Sequence, residues 1–363
     1  MPTSKDRIAS LDGLRAISIG LVLLGHLCGT QGFPLATTGN QDLGHLGVKV
    51  FFVISGFLIT KLLMDEQRAK GQISLGKFYM RRCWRIFPAC YALIAVLAMA
   101  SAAGLIQLRP NDLFYACTYL TNHHFDRSWF VGHLWSLAVE EQFYWVWPGL
   151  LVLVGLRRGL MCAAVGFFTA PVLRILILWK APSLGPGNGM MAPTVADALA
   201  IGCMLALGRE WLEGRNWYMR VVCSRWLALS PVLILALNYP IKTSISLTVQ
   251  EVLLNVVIAV TIDHCIRRRY GFLNIAPMVW VGEISYSLYL WQQPFFNRTA
   301  PALWTSFPLN VLCAVAAACM SYYIIEKPCR KLGKRIVARP LWSPGISGPA
   351  PAQSLIASVP APE

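Results

Sequence analysis

The sequence predicts an all-α integral membrane protein, a bundle of about ten transmembrane helices, and three observations carry that prediction. The mean hydropathy is +0.53, with 56% hydrophobic and only 13% charged residues. A soluble domain carries roughly a quarter charged residues. Apolar runs of spanning length, about 17–25 residues, recur along the chain. Finally, basic residues are concentrated in alternate connections between those runs.

Taken in order, the predicted spans are 11–29, 45–63, 86–107, 134–154, 160–179, 193–208, 226–240, 246–265, 278–296 and 303–324. The first contains SLDGLRAISIGLVLLGH, Ser10 to His26. It lacks a small-residue cleavage site and carries Asp12 and Arg15, so it reads as a retained span and not a signal peptide. The second follows as GVKVFFVISGFLIT, and KFYMRRCWRIFP leads into the third. HLWSLAVEEQFYWVWP opens the fourth, and Arg157 and Arg158 separate it from the fifth. VADALAIGC lies in the sixth, the seventh and eighth follow at 226–240 and 246–265, GEISYSLYLWQQP forms the ninth, and IIEKP closes the tenth. The connection from Leu62 to Arg85 is amphipathic enough to lie on the membrane surface.

Lys5 and Arg7, the stretch Lys61 to Arg85, Arg157 and Arg158, the stretch Arg209 to Arg225, Arg267 to Arg269, and Lys327 to Arg339 together hold 24 of the 32 Lys and Arg. The intervening connections hold only Arg109, Arg127, Lys180, Lys242 and Arg298. By the positive-inside rule both termini are cytoplasmic. The net charge of +15 is therefore read as topology, and no nucleic-acid partner is implied; the partner of this surface is the lipid bilayer. The 11 cysteines form no CxxC pair and no zinc-like spacing with histidine, so they read as small buried hydrophobes and no metal site is expected. Residues 1–335 form one membrane domain. Residues 336–363, rich in Pro, Ala and Ser, cannot build a core and read as a disordered cytoplasmic tail.

Ionisable groups inside spans are costly and so suggest function. Arg15 and His26 are eleven residues apart, about 16 Å of helix rise and about 1100° of rotation, close to three full turns. They share a face, which must look into the bundle. Each also has a plain alternative. Arg15 could snorkel to headgroups or pair with Asp12, and His26 could be a neutral hydrogen-bonded imidazole. Arg82 and Arg85 lie one turn apart at the mouth of the third span. They could be an ordinary topology anchor, or a planar pair suited to a phosphate-bearing ligand. Glu140 and Glu141 point about 100° apart, so one of them faces the cavity. Glu140, at a depth comparable to that of His26, is the candidate to orient the imidazole and raise its basicity. Asp197 divides evenly between a polar helix contact and a site role. The hydroxyls of Ser285, Tyr286, Ser287 and Tyr289 suit an interface belt or a polar cavity wall, and Glu326 suits a contact with basic neighbours.

RIASLDGLRAISIGLVLLGH, GVKVFFVISGFLIT, FYMRRCWRIFP, HLWSLAVEEQFYWVWP, ADALAIGC, ISYSLYLW and IEKP occur in the order seen in the acyltransferase-3 family, which the chain resembles over about residues 7–335. That family comprises bacterial membrane O-acyltransferases acting on polysaccharides, lipid-linked sugars, Nod factors and macrolides. The resemblance implies a multi-pass protein of the bacterial cytoplasmic (inner) membrane and transfer from cytoplasmic acyl-CoA, with acetyl-CoA the first choice. The acceptor would be a carbohydrate, glycolipid or other hydroxyl-bearing molecule. The family pattern of Arg, ten residues, His falls on Arg15 and His26, and its arginine pair falls on Arg82 and Arg85. This implies donor handling by Arg15, Arg82 and Arg85, and catalysis by His26 with Glu140. Two departures stand out. The family commonly has His after SLYLW, where this chain has Gln292 after Trp291. Some members also carry an SGNH hydrolase-like domain, which this chain has no room for, so the membrane domain or a separate partner is expected to meet the acceptor.

An alcohol is a poor nucleophile near neutral pH, and a positioned base contributes roughly 10²–10⁴-fold. Histidine, with an unperturbed pKa of about 6.5, is mostly neutral and able to accept a proton. The pantetheine arm is of roughly the length that separates Arg15 from His26, so a donor held at the cytoplasmic mouth would present its thioester inside the bilayer. Direct transfer and an acyl-histidine intermediate both fit. The rival readings are a flippase for a lipid-linked sugar and an acyl-CoA-binding sensor. The flippase explains neither the phosphate-suited arginines nor the full motif order.

Overall fold

The computed structural model describes residues 8, 10–35, 43–180, 190–239, 244–299 and 302–338. Among them the chain is helical, with no strand. Helix α1 (Leu11–Leu27) is followed by two long helices, α2 (Leu43–Lys70) and α3 (Leu75–Ala102). The next segment holds two short helices, α4 (Asp112–Cys117) and α5 (Trp129–Gly132). Then come α6 (Leu134–Lys180), α7 (Ala192–Glu213), α8 (Asn216–Val222), α9 (Ser230–Leu237) and α10 (Ser244–Arg268). Helices α11 (Ala276–Phe295), α12 (Leu309–Met320) and α13 (Lys327–Ala338) complete the order, with a π-helical segment, Ser321–Glu326, joining the last two.

Among the described residues, six helical stretches are long and apolar enough to cross a membrane: Leu43–Lys70, Leu75–Ala102, Trp129–Ile177, Ala192–Glu213, Thr248–Arg268 and Leu309–Val337. A bent pair, Asn216–Val222 with Arg225–Leu237 at 48°, would make seven. The sequence predicts about ten, and each difference has a physical source. Helix α1 has 17 residues, short for a span on length alone. Helix α11 is apolar only in part, because Glu283, Ser285, Ser287, Gln292 and Gln293 interrupt it. The predicted spans 134–154 and 160–179 both lie within α6, whose Gly155 takes φ 78° and ψ 165° and breaks the helix between them. A glycine tolerates that conformation without a Cβ clash.

The connection 62–85, predicted to lie on the membrane surface, is instead the ends of two helices. Helix α2 runs on to Lys70 and α3 begins at Leu75. At 28 residues each they are about 42 Å long, which exceeds the roughly 30 Å hydrocarbon core. The predicted tail boundary at residue 336 falls inside α13, which runs to Ala338; residues 339–363 lie outside the described residues.

Helix α1 packs between α2 and α11, α2 packs on α7, α7 on α6, and α13 on α3. Small residues let these backbones meet. A Cβ on Gly56 of α2 would stand 2.0 Å from Leu199 O of α7, and one on Gly202 of α7 would stand 2.2 Å from Val53 O of α2. In lipid, where apolar burial gives helices little reason to associate, close backbone packing of this kind supplies the attraction. The large apolar core formed around Ile19, Phe52, Phe57 and Ile258 therefore holds α1 rigidly against its neighbours. That rigidity places the polar face of α1.

Candidate active site

The face shared by Arg15 and His26 meets α11. Arg15 Nη2 donates to Ser285 Oγ at 3.0 Å, and His26 Nδ1 lies 2.8 Å from Gln292 Oε1. Ser285 and Gln292 are seven residues apart, two helical turns, so one face of α11 meets both ends of the polar stripe on α1.

Around Arg15 opens a cavity. Arg15, Arg82, Arg85 and Glu140 line it, with the hydroxyls of Ser55, Ser136, Tyr144, Ser285, Tyr286 and Tyr289. The family-implied donor residues thus come together from two helices, α1 and α3, with Glu140 of α6 beside them. Among the described residues neither Arg82 nor Arg85 pairs with a carboxylate. The Arg82 guanidinium instead lies 4.3 Å from the centroid of the Tyr144 ring, a cation–π contact that fixes its plane while leaving its donors available. The polar-wall reading of the hydroxyls holds for Ser285, Tyr286 and Tyr289. Ser287 points elsewhere, donating to Glu326 at 2.8 Å.

Glu140 and Glu141 divide as their 100° separation requires. Glu140 lines the cavity, while Glu141 is buried and its Oε1 has no hydrogen-bond partner among the described residues. Yet Glu140 does not occupy the expected place beside the imidazole. Ser55 and Tyr144 donate to its Oε1, the latter at 2.9 Å, which ties it to the arginine end. The orienting position on His26 belongs to Gln292, a residue to which sequence reasoning assigned no role.

A chain of amides fixes how Gln292 is turned. The Trp129 carbonyl can only accept, so Gln293 directs its Nε2 there, at 2.8 Å. Gln293 Oε1 then accepts from Gln292 Nε2 at 3.2 Å. Gln292 must therefore present Oε1 to His26, and in the neutral ring the proton sits on Nδ1. The basic lone pair is then on Nε2. The edge of the imidazole also meets the Trp129 ring, with centroids 5.8 Å apart. Tyr289, one turn before Gln292, joins this layer to the cavity: it donates to His133 O at 2.6 Å and meets Ser136 through its hydroxyl. His133 is itself buried and tilted against the Tyr289 ring.

Asp197 takes the structural role of its two readings. It accepts from Arg174 Nη2 at 2.5 Å and is 1% exposed, a buried ion pair between α6 and α7. Glu326 accepts from Arg330 at 3.3 Å, as its basic surroundings suggested. Among the described residues no group of three His, Cys, Asp or Glu could hold a metal ion.

The arrangement is a multi-span helical bundle with an arginine-lined cavity and, on the same helix as Arg15, a half-buried histidine oriented by Gln292. The family described as an acyltransferase domain matches residues 8–326, and the chain belongs to that acyltransferase-3 family. The peptidoglycan O-acetyltransferase OatA of Listeria monocytogenes is 29% identical over 370 residues, which cover 91% of this chain and 57% of that protein. YrhL of Bacillus subtilis, whose name gives the same activity provisionally, is 29% identical across 92% of this chain and 56% of its own. The chain thus spans under three-fifths of the length of these curated relatives. No solved structure matches it.

Proposed function

We propose that the protein is a membrane-bound O-acetyltransferase that moves the acetyl group of cytoplasmic acetyl-CoA onto a carbohydrate hydroxyl at the outer side of the bacterial inner membrane. Peptidoglycan, for which the Listeria relative is named, is the acceptor of first choice. The observation that carries this reading is the cavity lined by Arg15, Arg82 and Arg85, the last two without a salt bridge among the described residues, with His26 held by Gln292 on the same helix face as Arg15. A site for oxyanions at one end and a base at the other is what thioester-to-alcohol transfer requires.

In this reading Arg82 and Arg85 hold phosphate oxygens of the donor, and Arg15 acts deeper along the arm. Glu140, with the hydroxyls of Ser136 and Tyr289, supplies acceptors for the amide N–H groups of pantetheine, so its contribution is to donor placement. His26 Nε2 takes the proton of the acceptor hydroxyl as that oxygen attacks the thioester carbonyl carbon. The tetrahedral adduct collapses by breaking the C–S bond, and the imidazolium returns its proton to the departing thiolate. A flippase for a lipid-linked sugar would need polar groups in the bundle but no means of opening a thioester.

The test uses the purified protein in lipid nanodiscs with acetyl-CoA labelled in the acetyl group. Free coenzyme A should appear, and label should move to peptidoglycan fragments in an ester that mild base removes. A protein that binds no acetyl-CoA, or leaves the thioester intact with every acceptor offered, refutes the reading.

A further inference from the structure

Outside the cavity that holds Arg15 lies a second one, walled by α2, α3 and α13. The two share Leu58, Arg82 and Arg85, while Arg81, Arg330 and Lys334 line only the outer one. Five cationic side chains thus face one space. Two carboxylates touch the group: Glu66 accepts from Arg81 at 3.4 Å and also from Lys70, and Glu326 accepts from Arg330 and from Ser287. Lys334, Arg82 and Arg85 have no carboxylate partner among the described residues. The wall is firmly built, because α13 sits hard against α3 at Gly333, where a Cβ would stand 2.5 Å from Trp84 Cβ. In the sequence these α13 residues read only as a topology charge.

Resting on the acyl-CoA reading above, we infer that this outer cavity is a clamp for the nucleotide end of the donor, with Arg330 and Lys334 taking the phosphate on the ribose and Arg82 and Arg85 taking the diphosphate. The order follows from position. A donor whose thioester points inward threads its pantetheine arm through the inner cavity, so its diphosphate falls at the two arginines common to both spaces. Its third phosphate group, farther from the thioester, falls among the residues unique to the outer one. A guanidinium beside a compact ammonium suits a terminal phosphate with several open oxygens. Phosphate chemistry could also come from an anionic lipid headgroup, and the experiment separates the two.

Acetyl-CoA and acetyl-dephospho-CoA, which lacks the ribose phosphate, are compared as donors in nanodiscs of phosphatidylcholine alone and with phosphatidylglycerol added. The wild type should favour acetyl-CoA in KM by about tenfold or more, as expected for charge-assisted contacts to one phosphate. In the double variant Arg330→Ala, Lys334→Ala the preference should vanish through a raised KM for acetyl-CoA, with or without the anionic lipid. The charge-keeping variant Arg330→Lys, Lys334→Arg should retain discrimination, which separates lost charge from lost folding. Equal KM values for both donors in the wild type, or a double variant that still discriminates, overturn the clamp alone. An effect of the substitutions seen only with phosphatidylglycerol assigns the cavity to lipid and also overturns it. A wild type that binds acetyl-CoA and acetyl-dephospho-CoA but cleaves the thioester of neither overturns the donor reading and the clamp with it.

Discussion

His26 Nδ1 stands 2.8 Å from Gln292 Oε1, and the amide relay through Gln293 to the Trp129 carbonyl fixes which end of Gln292 it meets. The contact meets a chemical need: something must hold the imidazole in the tautomer that leaves Nε2 basic.

Gln292→Leu keeps the bulk and removes the acceptor. Turnover should fall by up to about 10²-fold, the scale of a misplaced reacting group. Donor affinity should hold, because Gln292 lies outside the donor cavity. Gln292→His should recover much of the rate. Gln292→Glu is the sharper probe. A carboxylate beside the ring favours imidazolium and raises its pKa, so the base becomes neutral only at higher pH. The acid limb of the kcat–pH profile should therefore move upward. An unmoved limb in the Glu variant, together with full activity in the Leu variant, would reduce Gln292 to packing.

Arg82→Ala and Arg85→Ala each remove a charged contact worth about 1.5–3 kcal/mol, so each should weaken acetyl-CoA binding at least tenfold. Arg82→Lys should not rescue, because the flat guanidinium stacked on Tyr144 is lost. Calorimetry in nanodiscs, repeated across salt concentrations, reads both the affinity and its screening. Unchanged affinity in the double variant would leave these arginines as topology anchors.

Much of this site could be read from periodicity, and the rest could not for reasons of geometry. Eleven steps of an α-helix make close to three turns, so Arg15 and His26 had to share a face, and both now meet α11. The break between spans at 154 and 160 likewise falls at Gly155, where φ is positive. What periodicity does not encode is which helix a face will meet. Gln292 is 266 residues from His26, and nothing local marks the pair. Counting depth from span ends set Glu140 level with His26, but that presumes helices of equal tilt. Glu140 instead sides with Ser55 and Tyr144. Basic residues on α13 looked like a charge bias because the docking of α13 on α3 is a tertiary event.

The loop asymmetry makes a separate prediction about orientation. Of the 32 Lys and Arg, 24 lie in the alternate connections assigned to the cytoplasm, including the ends of α2 and α3. Reporters fused after Asn122 and after Pro240 should read outside, and one fused after Arg158 should read inside. A cytoplasmic signal after Asn122 would put the outer cavity and its basic residues on the wrong side for acetyl-CoA.

The last prediction separates the two ends of the polar stripe on α1. His26 acts on a proton in motion, so its contribution belongs to the transition state. His26→Ala should lower turnover by about 10²–10⁴-fold and leave acetyl-CoA binding nearly intact. Arg15 lines the donor cavity, so Arg15→Ala should weaken binding as well as turnover. Glu140→Gln keeps an acceptor oxygen for the donor and for Ser55 and Tyr144, and should leave a measurable residual rate. The measurements are coenzyme A release and donor affinity for the three variants, after each is shown to be folded by its melting in detergent. The expected pattern is rate alone for His26, rate and affinity for Arg15, and a partial loss for Glu140. Near-normal turnover in His26→Ala would remove the general-base assignment and pass it to His133, which is buried against the Tyr289 ring.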